Sequence, residues 1–298
     1  MTEQKNINVM HSKDLGKEKV IGKVGKITAK TITYAFLIIM AFIVIFPFYW
    51  MIISSLKSLD EYMLSTPTFW PTKLMFSNYA HAFTMANLGR LFINTVYVGV
   101  VSTLLSLVIT VLSAFAFARL EFKGKDALFA ALLATMMIPG ELFTITNYIT
   151  INKFGWMNTY TVLIVPFLVS VFYIYLLRQN FLQIPNELYL AAKVDGTSDI
   201  KYLWKVMIPL ALPTIISITI LKMMGSWNTY IWPRLVANDE AHMLITNGIR
   251  SIQVVEDGIV NYPVQMAAVA TVSFPLFLVF IFLRKYIMKG VSRSGIKG

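Results

Sequence analysis

The fold class that this chain predicts is an all-α membrane protein with six transmembrane helices, and three observations predict it. Of its 298 residues 57% are hydrophobic and only 14% charged, against roughly 25% charged in a soluble domain. The apolar residues gather into runs long enough to cross a bilayer. The lysines and arginines alternate from loop to loop between a rich and a poor set.

A membrane helix needs about 20 apolar residues to pass roughly 30 Å of hydrocarbon. Four runs are uncharged and long enough: Thr31 to Leu56, Leu91 to Ala118, Phe154 to Leu177 and Gly258 to Leu283. Two more carry one charge each: Ala127 to Asn152 holds Glu141, and Val206 to Pro233 holds Lys222. Barrel strands would alternate polar and apolar residues, and these runs do not. The first run is too long for a signal peptide, lacks a small-residue cleavage pattern and is followed by Lys57, so it is expected to stay as an anchor.

Cytoplasmic loops are enriched in Lys and Arg. The segments before helix one, after helices two and four, and after helix six hold 19 of these residues, and the three intervening loops hold 6. Both termini are therefore expected to be cytoplasmic. The expected organisation is a lysine-rich, poorly ordered tail over 1–30, a permease domain over 31–290 and a short tail over 291–298. Within the domain, the polar loop 182–209 faces the cytoplasm and the loop 235–262 faces outside.

Several function classes drop out. The net charge is +11, but the charges lie between apolar runs and form no face for nucleic acid. Without cysteine there is no disulfide framework and no thiolate metal site. Gly-Lys pairs occur at Gly16, Gly22, Gly25 and Gly124, yet none completes the phosphate-cradling P-loop pattern. No paired carboxylates, metal cluster or nucleophile constellation stands out. A conduit remains, with two classes to weigh. One borrows its energy from a partner. The other is a self-contained secondary transporter, which usually carries several intramembrane ionisable groups and often detectable repeats.

The polar stretch "NELYLAAKVDGTSDIKYLWKVMIPLALP", Asn186 to Pro213, reads as two short helices with a break. Pro185 suits a helix start, Glu187 suits the positive end of the dipole, and Leu188, Ala191 and Ala192 share a face. Asp195-Gly196 ends the first helix, with Gly196 free to take a left-handed cap. A Thr or Ser cap then restarts the chain. The residues allow an amphipathic connector on the bilayer surface or a docking helix for a partner protein.

Here the chain resembles the importer permeases of the ATP-binding-cassette class, of the maltose-transporter G-subunit type. Their cytoplasmic loop reads E-A-A, three residues, G, nine residues, I-x-L-P. Ala191-Ala192, Gly196, Val206, Ile208 and Pro209 stand at the matching positions, with Asp195 before the glycine. "FPFYWMIISSLK", "NTVYVGVVST", "SAFAFARLEFKGK", "MMIPGE", "SWNTYIWP" and the tail "FLRKYIMKGVSRSGIKG" extend the resemblance over all six helices. One residue departs: Leu190 stands where the family has its glutamate, with Glu187 one turn earlier.

The resemblance implies that the loop is a coupling helix between helices four and five, docked in a cleft of an ATPase. It implies a second permease subunit forming a heterodimer, two ATPase subunits that bind ATP and Mg, and an external sugar-binding protein. No cofactor is expected in this chain, and an oligosaccharide is the expected cargo.

Pathway candidates follow from the same reading. Trp227, Asn228, Tyr230 and Trp232 cluster near the outer end of helix five, where they suit either sugar stacking or an interfacial aromatic belt. "MLITNGIRSI" and "VEDGIVNY" in the outer loop are candidates to meet the binding protein. Lys222 falls about 16 Å before Pro233 at 1.5 Å per residue, so it must pair, face the conduit or snorkel. Glu141 is the candidate ion-pair partner.

Overall fold

Where no water reaches, each backbone N–H and C=O must be paired within its own segment, and the apolar runs accordingly fold as helices. The computed structural model describes residues 2–85, 87–251, 255–256 and 259–292. α1 runs Thr2–Ser55, α2 Leu59–Tyr62, α3 Ser77–Met85 and α4 Leu88–Arg119. α5 (Lys125–Thr135) and α6 (Thr144–Lys153) flank a 3-10 turn at Gly140–Phe143. α7 (Tyr160–Ile164) leads through the 3-10 turn Val165–Phe167 into α8 (Val171–Leu182). α9 (Asn186–Val194) and α10 (Asp199–Tyr202) precede a π-helical turn, Leu203–Met207, and then α11 (Ile208–Asn228). α12 (Ile231–Val236) and α13 (Ile245–Ser251) follow. A small antiparallel pair, β1 (Val255–Glu256) and β2 (Ile259–Val260), comes before α14 (Tyr262–Ser292).

Among the described residues, four helical stretches are long and apolar enough to cross a membrane, and the number is six if each of two bent pairs is one span. Two of the six expected spans are therefore bent pairs of shorter helices. The α5–α6 pair turns by 82° at Pro139-Gly140, because proline removes a helical donor and clashes with the preceding turn. The α7–α8 pair turns by 45° just after Pro166. The last span starts at Tyr262, later than the apolar run, because the β pair takes up its first residues. The polar segment expected to lack order continues α1 as helix from Thr2. It contains no proline and is rich in lysine, a good helix former.

α4 lies at the centre, packed against α8 and α11, while α14 packs against α1, α3 and α11. One ridge of α4 carries Ser102, Ser106, Thr110, Ala114 and Ala118, all buried. Their i, i+4 spacing puts them in line, and small side chains let helices approach closely in a membrane. At Gly99 a Cβ would sit 2.8 Å from the Met223 sulfur, which shows how near α11 comes. The span Lys30–Ser55, in contrast, is almost wholly exposed, with 6% of its most apolar window buried.

The connection after α1 is tied down by polar groups. Asn78 donates to the carbonyls of Ser55 and Lys57, each at 2.8 Å. Lys57 donates to the Thr68 carbonyl and lies over the Trp50 ring. Glu61 accepts from the Thr68 hydroxyl at 2.7 Å and from the Thr72 hydroxyl and amide. Burial pushes the Glu61 carboxyl up, but these hydrogen bonds and the Lys57 charge outweigh it and hold it below its ordinary value of 4.5.

Candidate functional site

The candidate residues fall in two places, one towards each end of α11. The first is the polar loop built on α9. Its helix ends as the Asp-Gly pair indicated: Gly196 has φ +70°. The Gly196 amide donates to the Lys193 carbonyl and the Thr197 amide to the Ala192 carbonyl, the two bonds of a Schellman closure. Ser198 then caps α10, accepting from the Lys201 amide.

α9 has an inner and an outer face. Tyr189 and Ala192 are partly buried against a core formed by Phe115, Phe181, Tyr202 and their neighbours. The Tyr189 hydroxyl donates to Asp199 at 2.7 Å, and Lys193 pairs with the same carboxylate at 2.7 Å. This ion pair raises the Lys193 ammonium above its ordinary value. Glu187, Leu190, Ala191 and Val194 are exposed. Their i, i+3, i+4, i+7 spacing makes one outward face. The structure thus corrects the expected face: Leu188 and Ala191 point away from the core, and Ala192 points into it. The inward face is the one that carries Tyr189, whose ring packs against Tyr202.

Arginine residues that the sequence offered only as loop charges hold this loop in place. Arg119, at the end of α4, is buried and donates to the carbonyls of Phe181 and Ile184, the first at 2.8 Å. Arg178 donates to the Phe117 carbonyl at 3.1 Å and lies over the Phe129 ring. The root of the loop is therefore bolted to α4. The only hint in the sequence is that each arginine directly adjoins an apolar run.

The second place is a cavity of about 360 Å³ bounded by α4, α11, α12 and the α7–α8 break. Lys222 opens onto it and donates to the Phe167 carbonyl at 2.6 Å. Phe167 lies at the break, where its carbonyl is outside a regular helix. Glu141 is exposed in the 3-10 turn at the α5–α6 bend, and among the described residues it forms no ion pair with Lys222. Of the alternatives for Lys222, pairing with Glu141 is the one not made, because the Pro139-Gly140 bend takes Glu141 off any straight helix. Lys222 also sits nearer the helix end than the apolar run suggested. α11 stops at Asn228, about 9 Å from Lys222 at 1.5 Å per residue.

The aromatic candidates separate. Trp227 is buried in a core of α4 and α14 residues and meets Phe92 edge-on. Trp232 lines the cavity, and its Nε1 donates to the Val162 carbonyl at 3.0 Å. The Asn228 amide is spent on the Met224 carbonyl of its own helix at 2.9 Å. Trp227, Asn228, Tyr230 and Glu141 are not among the cavity's lining residues.

The loop after α12 is clamped down. Asn94 donates to the carbonyls of Ala241 and Met243, Tyr160 donates to Asn94, and Thr95 accepts from the Ile245 amide. Leu244, Ile245 and Asn247 are buried, so that part of "MLITNGIRSI" is held by this chain itself. Asp257 and Gly258 of "VEDGIVNY" lie outside the described residues.

Comparison with known proteins assigns the architecture. Residues 106–293 match the family described as binding-protein-dependent transport system inner membrane component. The arabinooligosaccharides transport system permease protein AraQ of Halalkalibacterium halodurans is 31% identical over 271 residues, 90% of this chain and 95% of its own length. The diacetylchitobiose uptake system permease protein NgcG of Streptomyces coelicolor is 31% identical, covering 88% of this chain and 87% of its own. The polygalacturonan/rhamnogalacturonan transport system permease protein YtcP of Bacillus subtilis is 27% identical, covering 89% and 96%. The fold is shared with a chain in the crystal structure of a bacterial ABC transporter involved in the import of the acidic polysaccharide alginate. Its TM-score is 0.78 at 23% identity, over 86% of this chain and 95% of that one.

A family match over residues 106–293 and likeness over nine-tenths of the chain decide the assignment: the chain belongs to the binding-protein-dependent transport system inner membrane components, as a multi-pass permease subunit of an ABC importer.

Proposed function

We propose that this chain forms one half of a saccharide pathway, with a second, different permease subunit as the other half. An external sugar-binding protein delivers the cargo. Two ATPase subunits, which hold the ATP and Mg, drive the cycle by docking on the outward face of α9. The lysine-rich segments place that face and both termini in the cytoplasm. The observation that carries the reading is the near full-length likeness to permeases named for arabinooligosaccharides and diacetylchitobiose.

The outward face supports the docking. Leu190 and Val194 are 55% and 88% exposed, and an apolar pair left in water at the end of a helix suits a partner's cleft. Leu190 replaces an acidic residue there, and an exposed ion pair contributes only about 0–1 kcal/mol. Leu190→Glu should therefore leave the complex assembled and change coupling modestly.

The test is copurification and uptake. A tagged chain should bring down a second permease and an ATPase, and cells lacking it should lose uptake of a saccharide from a neutral and acidic panel. Transport by the purified chain alone, driven by a proton gradient without ATP, overturns the reading.

A further inference from the structure

The cavity beside Lys222 sets a charge among hydroxyls, and the names of this chain's relatives, which span neutral and acidic saccharides, do not decide between the two for this chain. Lys222, Gly225 and Ser226 of α11 and Thr229 just past its end all line it, and the i, i+3, i+4 spacing of the first three puts them on one face of the helix. Together the four offer an ammonium, two hydroxyls and an open floor, since a Cβ at Gly225 would meet nothing within 4 Å. Ser102 of α4 and Tyr173 of α8 stand across the space. The volume of about 360 Å³ lies within the range of small-molecule pockets, roughly 300–1,000 Å³.

Among the described residues the charge has no ion-pair partner. No acidic side chain is among the lining residues. The ammonium spends one of its three donors on the neutral Phe167 carbonyl. Bracing the broken helix does not by itself call for a lysine. Hydroxyls also donate to main-chain carbonyls in α11, Ser217 to Pro213 and Thr219 to Ile215, each four residues back in the same helix. A neutral donor would brace Phe167 without the insertion penalty that a charge carries in a membrane.

We propose that this cavity binds the anionic group of an acidic saccharide, such as a uronate carboxylate, with Lys222 as its specificity-determining residue. Ser226 and Thr229 meet the sugar hydroxyls, and Gly225 leaves room for the ring. The inference rests on the saccharide reading above and narrows it.

The test uses the assembled transporter in lipid nanodiscs without its binding protein, so that the permease alone selects. Binding of digalacturonate is compared with that of neutral galactobiose. Lys222→Met should weaken digalacturonate by about tenfold or more, the worth of a charge-assisted hydrogen bond, and galactobiose by less than about twofold. Lys222→Arg should keep digalacturonate binding, and added salt should weaken it in the wild type. Gly225→Leu should weaken both sugars while the thermal midpoint holds, because it fills open space.

Equal loss of both sugars in Lys222→Met, with a lowered thermal midpoint, makes Lys222 a brace only and overturns the proposal. Galactobiose binding with no preference for digalacturonate also overturns it and leaves the saccharide reading standing. If neither sugar binds and cells take up nothing from the saccharide panel through this importer, both readings fall.

Discussion

Gly196 holds φ +70° with open space around the position of a Cβ, so any substitution there is penalised by backbone strain and not by a clash. An L-residue in the left-handed region costs about 1–2 kcal/mol, and a β-branched one is least able to adopt it. Gly196→Val should open the Schellman closure and tilt α9 against α10. We expect ATP hydrolysis to continue without matching transport, while Gly196→Asn stays coupled. Proteoliposome assays of ATP used per substrate moved check this. Glu61 gives a second residue-level prediction. Its folded value is depressed below 4.5, so the stability it contributes is present above that value and is lost as pH falls through the folded value. The wild-type thermal midpoint should drop on acidification below about pH 4.5, and Glu61→Gln should remove that part of the slope. Thermal scans of detergent-purified protein at pH 3.5 to 7, with and without the substitution, measure it.

Among elements, the bolt between α4 and the root of the α9 loop is the contact whose removal tests the proposed coupling. Arg119 supplies it through the carbonyls of Phe181 and Ile184, both at the end of α8 where helical donors have run out. Hydrogen bonds from a charged donor contribute roughly 1.5–3 kcal/mol, and the carbonyls left behind carry a desolvation cost. Arg119→Leu should lower the thermal midpoint and also reduce coupling, since α9 then moves without dragging α4. Arg119→Lys should rescue part of both, because a point cation replaces a fork of donors. A loss of stability with coupling intact would show that α9 transmits through α11 alone, by way of the π-helical turn Leu203–Met207.

For the whole molecule, the prediction is orientation. If the two bent pairs each cross, an even number of spans puts both termini on one side, and the lysine distribution puts that side in the cytoplasm. A fluorescent protein fused after Gly298 should fluoresce, and alkaline phosphatase fused there should be inactive. Phosphatase inserted in the loop between α1 and α4 should be active. The reverse pattern would place α9 outside and remove it from any ATPase. The exposed span of α1 belongs to this scale as well. It finds little cover within its own chain, which is what a subunit built to meet lipid and a second permease presents.

Run lengths, loop charges, the left-handed Gly196 and the Ser198 cap were legible in the sequence, because each depends on neighbours a few residues away. So was the family, because its loop spacing and flanking motifs are linear patterns. The tertiary structure decided what those patterns leave free. Tyr189 could be buried only by turning α9 so that Ala192 faces in and Leu190 out. Pro139 and Pro166 were visible as residues, but the angles of 82° and 45° depend on what the half-helices pack against. That bend separated Glu141 from Lys222, two charges that a straight-helix picture sets side by side. The aromatic cluster came apart for a similar reason: α11 ends at Asn228, and a turn then sends Trp232 to α7 while Trp227 stays against α4. Periodicity records which side of its own helix a residue occupies. Which neighbour that side meets is set by helix–helix packing, and there a buried side chain's demand for contacts outweighs local preference.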